Sequence, residues 1–159
     1  MNGNAELIRR FYDAFARRDH ATMVASYAPG AYFVDPVFGV LEGWRIAAMW
    51  RMLCERATDL SITAERITAD DRTGSAHWEA RYTFSPTGRR VHNVIEASFE
   101  FSSGLISRHV DQFDLYRWSR QALGWKGWLL GWTPLVQGPV RSQAARGLES
   151  FIRKQGLGP

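Results

Sequence analysis

His109 and Asp111 stand two residues apart in the run Ile106-Ser-Arg-His109-Val-Asp111-Gln-Phe113-Asp114, and in an extended chain that spacing puts both side chains on one face with Phe113. An imidazole beside a carboxylate is suited to moving or orienting a proton, because burial raises an acid's pKa towards neutrality, where imidazole already titrates. Asp114 falls on the opposite strand face and is expected at the surface. Another acid, Asp35, ends the run Ala31-Tyr32-Phe33-Val34-Asp35 just before Pro36. Proline's missing N–H and its restriction on the preceding residue favour extended or turn geometry there. Other chemistries have less to stand on. The four histidines, at 20, 77, 92 and 109, show no paired spacing of the kind zinc ligands use, and no glycine-rich phosphate loop follows a strand. Neither a metal nor a nucleotide cofactor is indicated. The single cysteine, Cys54, sits in an apolar helical stretch and reads as a small core residue.

These groups need elements to position them. Leu7, Ile8, Phe11, Ala14 and Phe15 recur at three- and four-residue steps, which predicts an amphipathic helix over 5–18. Asp19 can cap a shorter helix running to Tyr27, ended by Pro29-Gly30. A third helix follows Gly43 on Trp44, Ala47, Trp50, Leu53, Cys54 and Ala57. Strands are predicted over 60–68, 75–84, 90–101 and 105–117, joined by short turn clusters that imply antiparallel hairpins. Alternation then groups Trp78, Ala80, Tyr82 and Phe84 on one face, opposite His77, Glu79 and Arg81. It likewise groups Val91, Asn93, Ile95, Ala97, Phe99 and Phe101, opposite His92, Glu96 and Glu100.

With 159 residues, 45% hydrophobic and 13% aromatic, the chain is expected to form a core around 1–118 with a helical extension over 119–159 packed on the same unit. Residues 117–159 carry seven Lys and Arg against one acid, while 1–116 carry 13 against 15. Charges so spread fit a solvated helix face better than a nucleic-acid site, and no nucleic-acid partner is expected. Trp125, Trp128 and Trp132 fall on one side of a short helix that Thr133-Pro134 would end, and a last helix is expected after Pro139. The stripe reads as a lid over the cavity mouth or a dimer contact, with a membrane interface beside Lys126 as the lesser alternative. The N-terminal residues show no basic segment leading into an apolar run, which predicts a cytoplasmic protein.

Taken in order, these words resemble a known superfamily. Phe11-Tyr12-Asp-Ala-Phe15-Ala-Arg-Arg-Asp19 is similar to the first-helix motif of the ketosteroid isomerase-like, or nuclear transport factor 2-like, proteins. Phe33-Val34-Asp35-Pro36-Val37 resembles the isomerase segment that contributes the general base, and 106–114 resembles the last strand of SnoaL-like polyketide cyclases and limonene-epoxide hydrolases. The resemblance covers about residues 5–117. It implies an α+β fold in which a cone-shaped, curved, mostly antiparallel sheet (cystatin-like) wraps around N-terminal helices and encloses a pocket for a small hydrophobic substrate, with a homodimer common among relatives. It also implies that His109, Asp111 and Phe113 face inward. Two titratable groups on an otherwise aromatic wall would lose hydration, a cost on the order of several kcal/mol for an unpaired charge, unless paired, hydrogen-bonded or wet.

The expected chemistry is cofactor-independent acid–base transfer by Asp35 and Asp111, with His109 orienting Asp111 or relaying its proton: an isomerase, cyclase, dehydratase or epoxide hydrolase. Phe11, Tyr12, Phe15, Tyr32, Trp50, Trp78, Tyr82, Phe84, Asn93, Ile95, Ala97 and Phe113 are the candidate substrate-contacting residues. The competing reading makes His109–Asp111 a static pair, Asp35 a turn-shaping residue and the protein a binding module. Ketosteroid isomerase itself is a poor match, because Phe11 stands where its oxyanion-hole Tyr would be and Ala97 where its neutral Asp would be.

Overall fold

A computed structural model describes residues 2–159; Met1, where the N-terminal reading begins, lies outside the described residues. Helix α1 (Gly3–Ala16) starts at Asn2, whose side chain accepts the Asn4 N–H, and turns Ile8, Phe11, Tyr12 and Phe15 inward. Asp19 caps the short α2 (His20–Val24) through the Thr22 N–H. Helix α3 (Trp44–Arg56) buries Ile46, Met49, Trp50 and Cys54. Burial pushes the Cys54 thiol up to about 11, as suits a core cysteine.

Six strands follow one another across a single sheet in the order β2-β1-β6-β5-β4-β3. They are β1 (Tyr27–Asp35), β2 (Gly39–Glu42), β3 (Ser61–Ala69), β4 (Thr73–Phe84), β5 (Arg89–Ser102) and β6 (Leu105–Gln112). Only β1 and β6 pair in parallel; the other neighbours are antiparallel. Helices α1 and α3 cover the inner face, and the core gathers between them and the sheet.

Three local expectations change. Pro29-Gly30 does not end α2 but lies within β1, where the β1–β6 register shifts between Tyr27 and Tyr32. Pro29 has no N–H for the ladder and Gly30 takes φ 71°, so the pair makes an irregularity in a strand instead of a stop. The last strand ends at Gln112 and not at 117, because Asp114 accepts the Arg117 N–H and caps helix α4 (Leu115–Leu123), whose Leu115, Trp118, Ser119 and Ala122 are buried. The short tryptophan helix does end before Thr133-Pro134, but the last helix starts there and not after Pro139: α6 (Pro134–Gln155) carries Pro134 in its first turn, where the missing N–H is harmless, and contains Pro139.

The C-terminal helices pack on the rest. Leu148, Phe151 and Ile152 of α6 join the main core, and Arg45 pairs with Glu149. Between α4 and α6 lies α5 (Trp125–Leu130), held so close to α4 that a Cβ at Gly127 would stand 1.9 Å from the Ser119 carbonyl oxygen. Gly127→Ala must force the two helices apart, and it is expected to lower stability by about 1–3 kcal/mol in a denaturant titration. An unchanged unfolding midpoint would contradict the close approach.

Candidate functional site

The parallel pairing of β1 with β6 sets Phe33 opposite His109 and Val34 opposite Val110; Asp35 and Asp111 are the next residues of the two strands, and the charge of Asp111 is felt at Asp35. The two carboxyl groups thus rise from the same face of adjacent strands, whose backbones run about 4.8 Å apart. His109 is fully buried and Asp111 nearly so. His109 Nε2 lies 2.9 Å from Asp111 Oδ1, and Trp78 Nε1–H donates to that same oxygen at 3.2 Å. On the far side of the imidazole, Nδ1 is 2.7 Å from the Tyr27 hydroxyl, which accepts the Trp50 indole N–H at 3.1 Å.

Trp50 can only donate, so the Tyr27 hydroxyl accepts from it and keeps its own proton free to donate; in the tautomer where that proton goes to Nδ1, His109 donates its Nε2–H to Asp111. The imidazole also lies against Phe11, Tyr27, Phe33, Trp50 and Phe99, with ring centroids 4.4–6.2 Å away. The open hollow expected around this pair is therefore occupied by aromatic rings. The 390 and 190 Å³ depressions on the surface lie elsewhere, along Thr68–Asp70 with Thr73–Ser75, and beside Ser98, Glu100 and Arg108. No candidate site residue lines either of them.

Asp35 is half-buried. Its Oδ1 accepts the Val37 N–H at 2.8 Å and the Phe38 N–H at 2.5 Å, which folds the chain into the hairpin to β2. Burial drives its carboxyl up from 3.8 to about 6; the two N–H bonds oppose that, the charge of Asp111 adds to it and His109 subtracts. The turn-shaping role is thus real, and among the described residues both of its hydrogen bonds fall on Oδ1. Similarly, both bonds to Asp111 end on Oδ1.

A further polar group sits nearby. The Tyr12 hydroxyl is buried with no hydrogen-bond partner among the described residues, and burial together with the charge of Asp111 holds its pKa well above the usual phenol value. A buried hydroxyl without a partner costs about 1–3 kcal/mol, so the site contains a donor that the protein alone does not satisfy.

The apolar interior has two parts. The main cluster holds Phe11, Phe15, Phe33, Trp50, Trp78, Ile95 and Ala97; the second is built on Val91, Leu115, Trp118 and Ala122, with Val37, Phe84 and Val140 packed against it. Tyr82 and Phe113 touch both. On β5 the inward position between Val91 and Ile95 is Asn93, and on β6 the one between His109 and Phe113 is Asp111. Asp111 faces Ala97 across the β5–β6 ladder and forms a polar seam with Asp35, while Asn93 stands four residues further along β5; Asp35, Asn93, Tyr82 and Phe113 are only half-buried.

Most of the residues picked from sequence meet here, with exceptions. Tyr32 is 46% exposed on the outer face, opposite Arg108 and Glu42, because the alternation that turns Phe33 inward turns its neighbour out. Phe84 packs edge-on against Trp118 and not at the carboxylates, and the Tyr82 hydroxyl already accepts the Trp118 N–H at 2.8 Å. The outward set is as expected: Glu79 accepts from His92 and His77, which holds its carboxyl down to about 2, and His77 Nδ1 lies 2.5 Å from Glu96. Tyr27 was missed. Its link to His109 spans 82 residues, and no local pattern announces it. Trp118 was missed as well, although Asp114 followed by Leu115, Trp118 and Ala122 at helical spacing is a readable capped helix.

A SnoaL-like domain profile matches residues 8–109, from within α1 to within β6. The chain belongs to the SnoaL-like family. A search of curated proteins finds no match. Among solved structures, an LEH-like epoxide hydrolase of M. tuberculosis is similar at 23% identity with a TM-score of 0.63, over 84% of this chain and 95% of that one. A Jannaschia protein, provisionally named a SnoaL-like polyketide cyclase, is similar at 16% identity and TM-score 0.67, over 77% and 92%. A Burkholderia pseudomallei protein of unknown function, named as nuclear transport factor 2-like, aligns at 19% identity and TM-score 0.61, over 72% and 92%. At these identities the likeness shows the α+β fold of this SnoaL-like chain, and its chemistry has to be argued from the seam itself. Among the described residues no helix is long and apolar enough to cross a membrane, and no three His, Cys, Asp or Glu side chains are grouped to hold a metal ion.

Proposed function

We propose that this SnoaL-like chain binds a small hydrophobic, oxygen-bearing metabolite at the polar seam and moves protons on it with its own side chains. Asp35 and Asp111 are the catalytic acid and base, and His109 orients Asp111. The observation that supports this most is that the Asp111 charge acts on both Asp35 and the buried Tyr12 hydroxyl, which has no partner among the described residues. Asp35, held up to about 6, changes protonation near neutral pH, which is where a general acid–base group is most effective. Tyr12, together with Asn93, supplies donors to a substrate oxygen.

Within this class, isomerisation, cyclisation and dehydration fit better than opening an epoxide in the manner of the limonene-epoxide hydrolases, because Glu79 and Arg81 of β4 are tied up on the outer face. Steroid isomerisation with a Tyr–Asp oxyanion hole also lacks its donors: Phe11 offers only a ring edge to His109, and Ala97 opposes Asp111 with a methyl group. A non-catalytic binding module of the same fold is the second reading, favoured by the rings that pack His109 on several sides.

Both readings meet a thermal-shift and product screen with small apolar ketones, enones and epoxides. Tyr12→Phe removes a hydroxyl that nothing satisfies, so the unliganded variant is expected to be at least as stable as the parent while affinity for an oxygen-bearing ligand falls about tenfold. A Tyr12→Phe protein that binds as tightly as the parent would remove the donor role. Binding without turnover, with Asp35→Asn and Asp111→Asn leaving affinity unaltered, would establish the binding module.

A further inference from the structure

Eight large hydrophobic side chains stand out as exposed among the described residues, and six of them fall within eleven positions: Trp125, Trp128, Leu129, Leu130, Trp132 and Leu135, each 40–73% exposed. The tryptophans do not close over a cavity mouth as a lid would, because α5 meets α4 with its glycine edge. Gly127 is buried against the Ser119 carbonyl, and a Cβ at Gly131 would stand 2.8 Å from Ser119 Cβ. Small residues face the protein and indoles face away. The platform is held, too: the Tyr116 hydroxyl donates to the Trp128 carbonyl at 2.8 Å, the Trp132 indole N–H to the Leu129 carbonyl, and the Gln137 amide to the Gly131 carbonyl.

The surroundings are basic. Lys126 lies over the Trp125 ring, Arg120 lies between Tyr116 and Trp128, and the single acid of 117–159, Glu149, is paired with Arg45. We infer that α5 and its flanks form a membrane-surface anchor that seats its indoles and leucines in the interface of an anionic bilayer. Indoles and basic side chains suit that layer, where the ring is buried and the charge meets lipid headgroups. A contiguous exposed apolar patch of this kind marks an interaction site, and charge selects its occupant. A second copy of the chain would bring like-charged segments together, whereas an anionic lipid surface complements them. The inference does not depend on the acid–base reading, since no residue of the seam takes part in it.

The test is co-sedimentation of the full chain with phosphatidylcholine vesicles containing about 30% phosphatidylglycerol, compared with phosphatidylcholine alone. The parent is expected to pellet with the anionic vesicles, and partitioning should fall at least about tenfold both on neutral vesicles and in Trp125→Ala/Trp132→Ala. Those two indoles are exposed, so the circular dichroism and thermal midpoint of the variant should match the parent. A parent that stays in the supernatant overturns the anchor, as does a double variant that pellets equally. Ultracentrifugation without lipid that shows a dimer abolished by the same two substitutions would assign the patch to self-association instead.

Discussion

Asp111→Asn is expected to lower turnover of any substrate found in the ligand screen by at least about a hundredfold, with folding intact. The prediction rests on which atoms do what. Asp111 Oδ1 accepts two N–H bonds, from His109 Nε2 and Trp78 Nε1, and an asparagine Oδ1 can accept both in the same place. What changes is the other position, where an amide that cannot take up a proton replaces a carboxylate oxygen. A structural Asp111 would tolerate this exchange, and a catalytic one would not. Circular dichroism and thermal unfolding of the variant, set beside its steady-state rate, separate the two. Full activity in a well-folded Asp111→Asn protein ends the acid–base reading.

Asp35→Asn should stabilise the protein above pH 6 and leave it unchanged near pH 4. The carboxyl is raised from 3.8 in the unfolded chain to about 6 when folded, chiefly by burial. Between those two values the folded state holds a proton that the unfolded state has released, so stability falls as pH rises through that window and is level beyond it. A carboxyl raised that far costs the folded protein about 3 kcal/mol at neutral pH. Asparagine keeps an oxygen to accept the Val37 and Phe38 N–H bonds and has no charge to desolvate, so it escapes the loss. Groups whose carboxyls are held low, such as Asp19, Asp59, Asp70 and Glu79, act in the opposite direction with pH but cancel in the comparison of parent and variant. Denaturant titrations of both proteins at pH 4, 6 and 8 measure the difference. Equal stability at pH 8 would show that Asp35 is not strained by burial. A residue that costs stability in the resting protein is what a site poised for proton transfer requires.

The helices and strands were legible wherever one period ran unbroken. Ile8, Phe11 and Phe15 mark a helix, and the alternation across Trp78–Phe84 and Val91–Phe101 marks paired strands, because a side chain's face follows directly from backbone repeat. Reading failed at punctuation. Pro29-Gly30 signals a stop in most contexts but here lies inside β1, and only the β6 neighbour, pairing on both sides of the irregularity, keeps the strand going. At Asp114 the strand pattern of 105–112 was carried too far, since a cap is one residue and a strand run is many.

The sequence by itself determined that His109 and Asp111 share a face, that Asp35 precedes a turn, and that the order of elements is that of a SnoaL-like chain. These are local matters, settled by spacing and by backbone geometry. Only the tertiary structure decided that β1 lies parallel to β6, so that the Asp111 charge reaches Asp35, that Tyr27 reaches His109 from 82 residues away, and that rings fill the space around the imidazole. It also decided that the tryptophans of α5 face outward, because two glycines had to meet α4. Register, packing and exposure depend on which distant surfaces meet, and no local period carries that information.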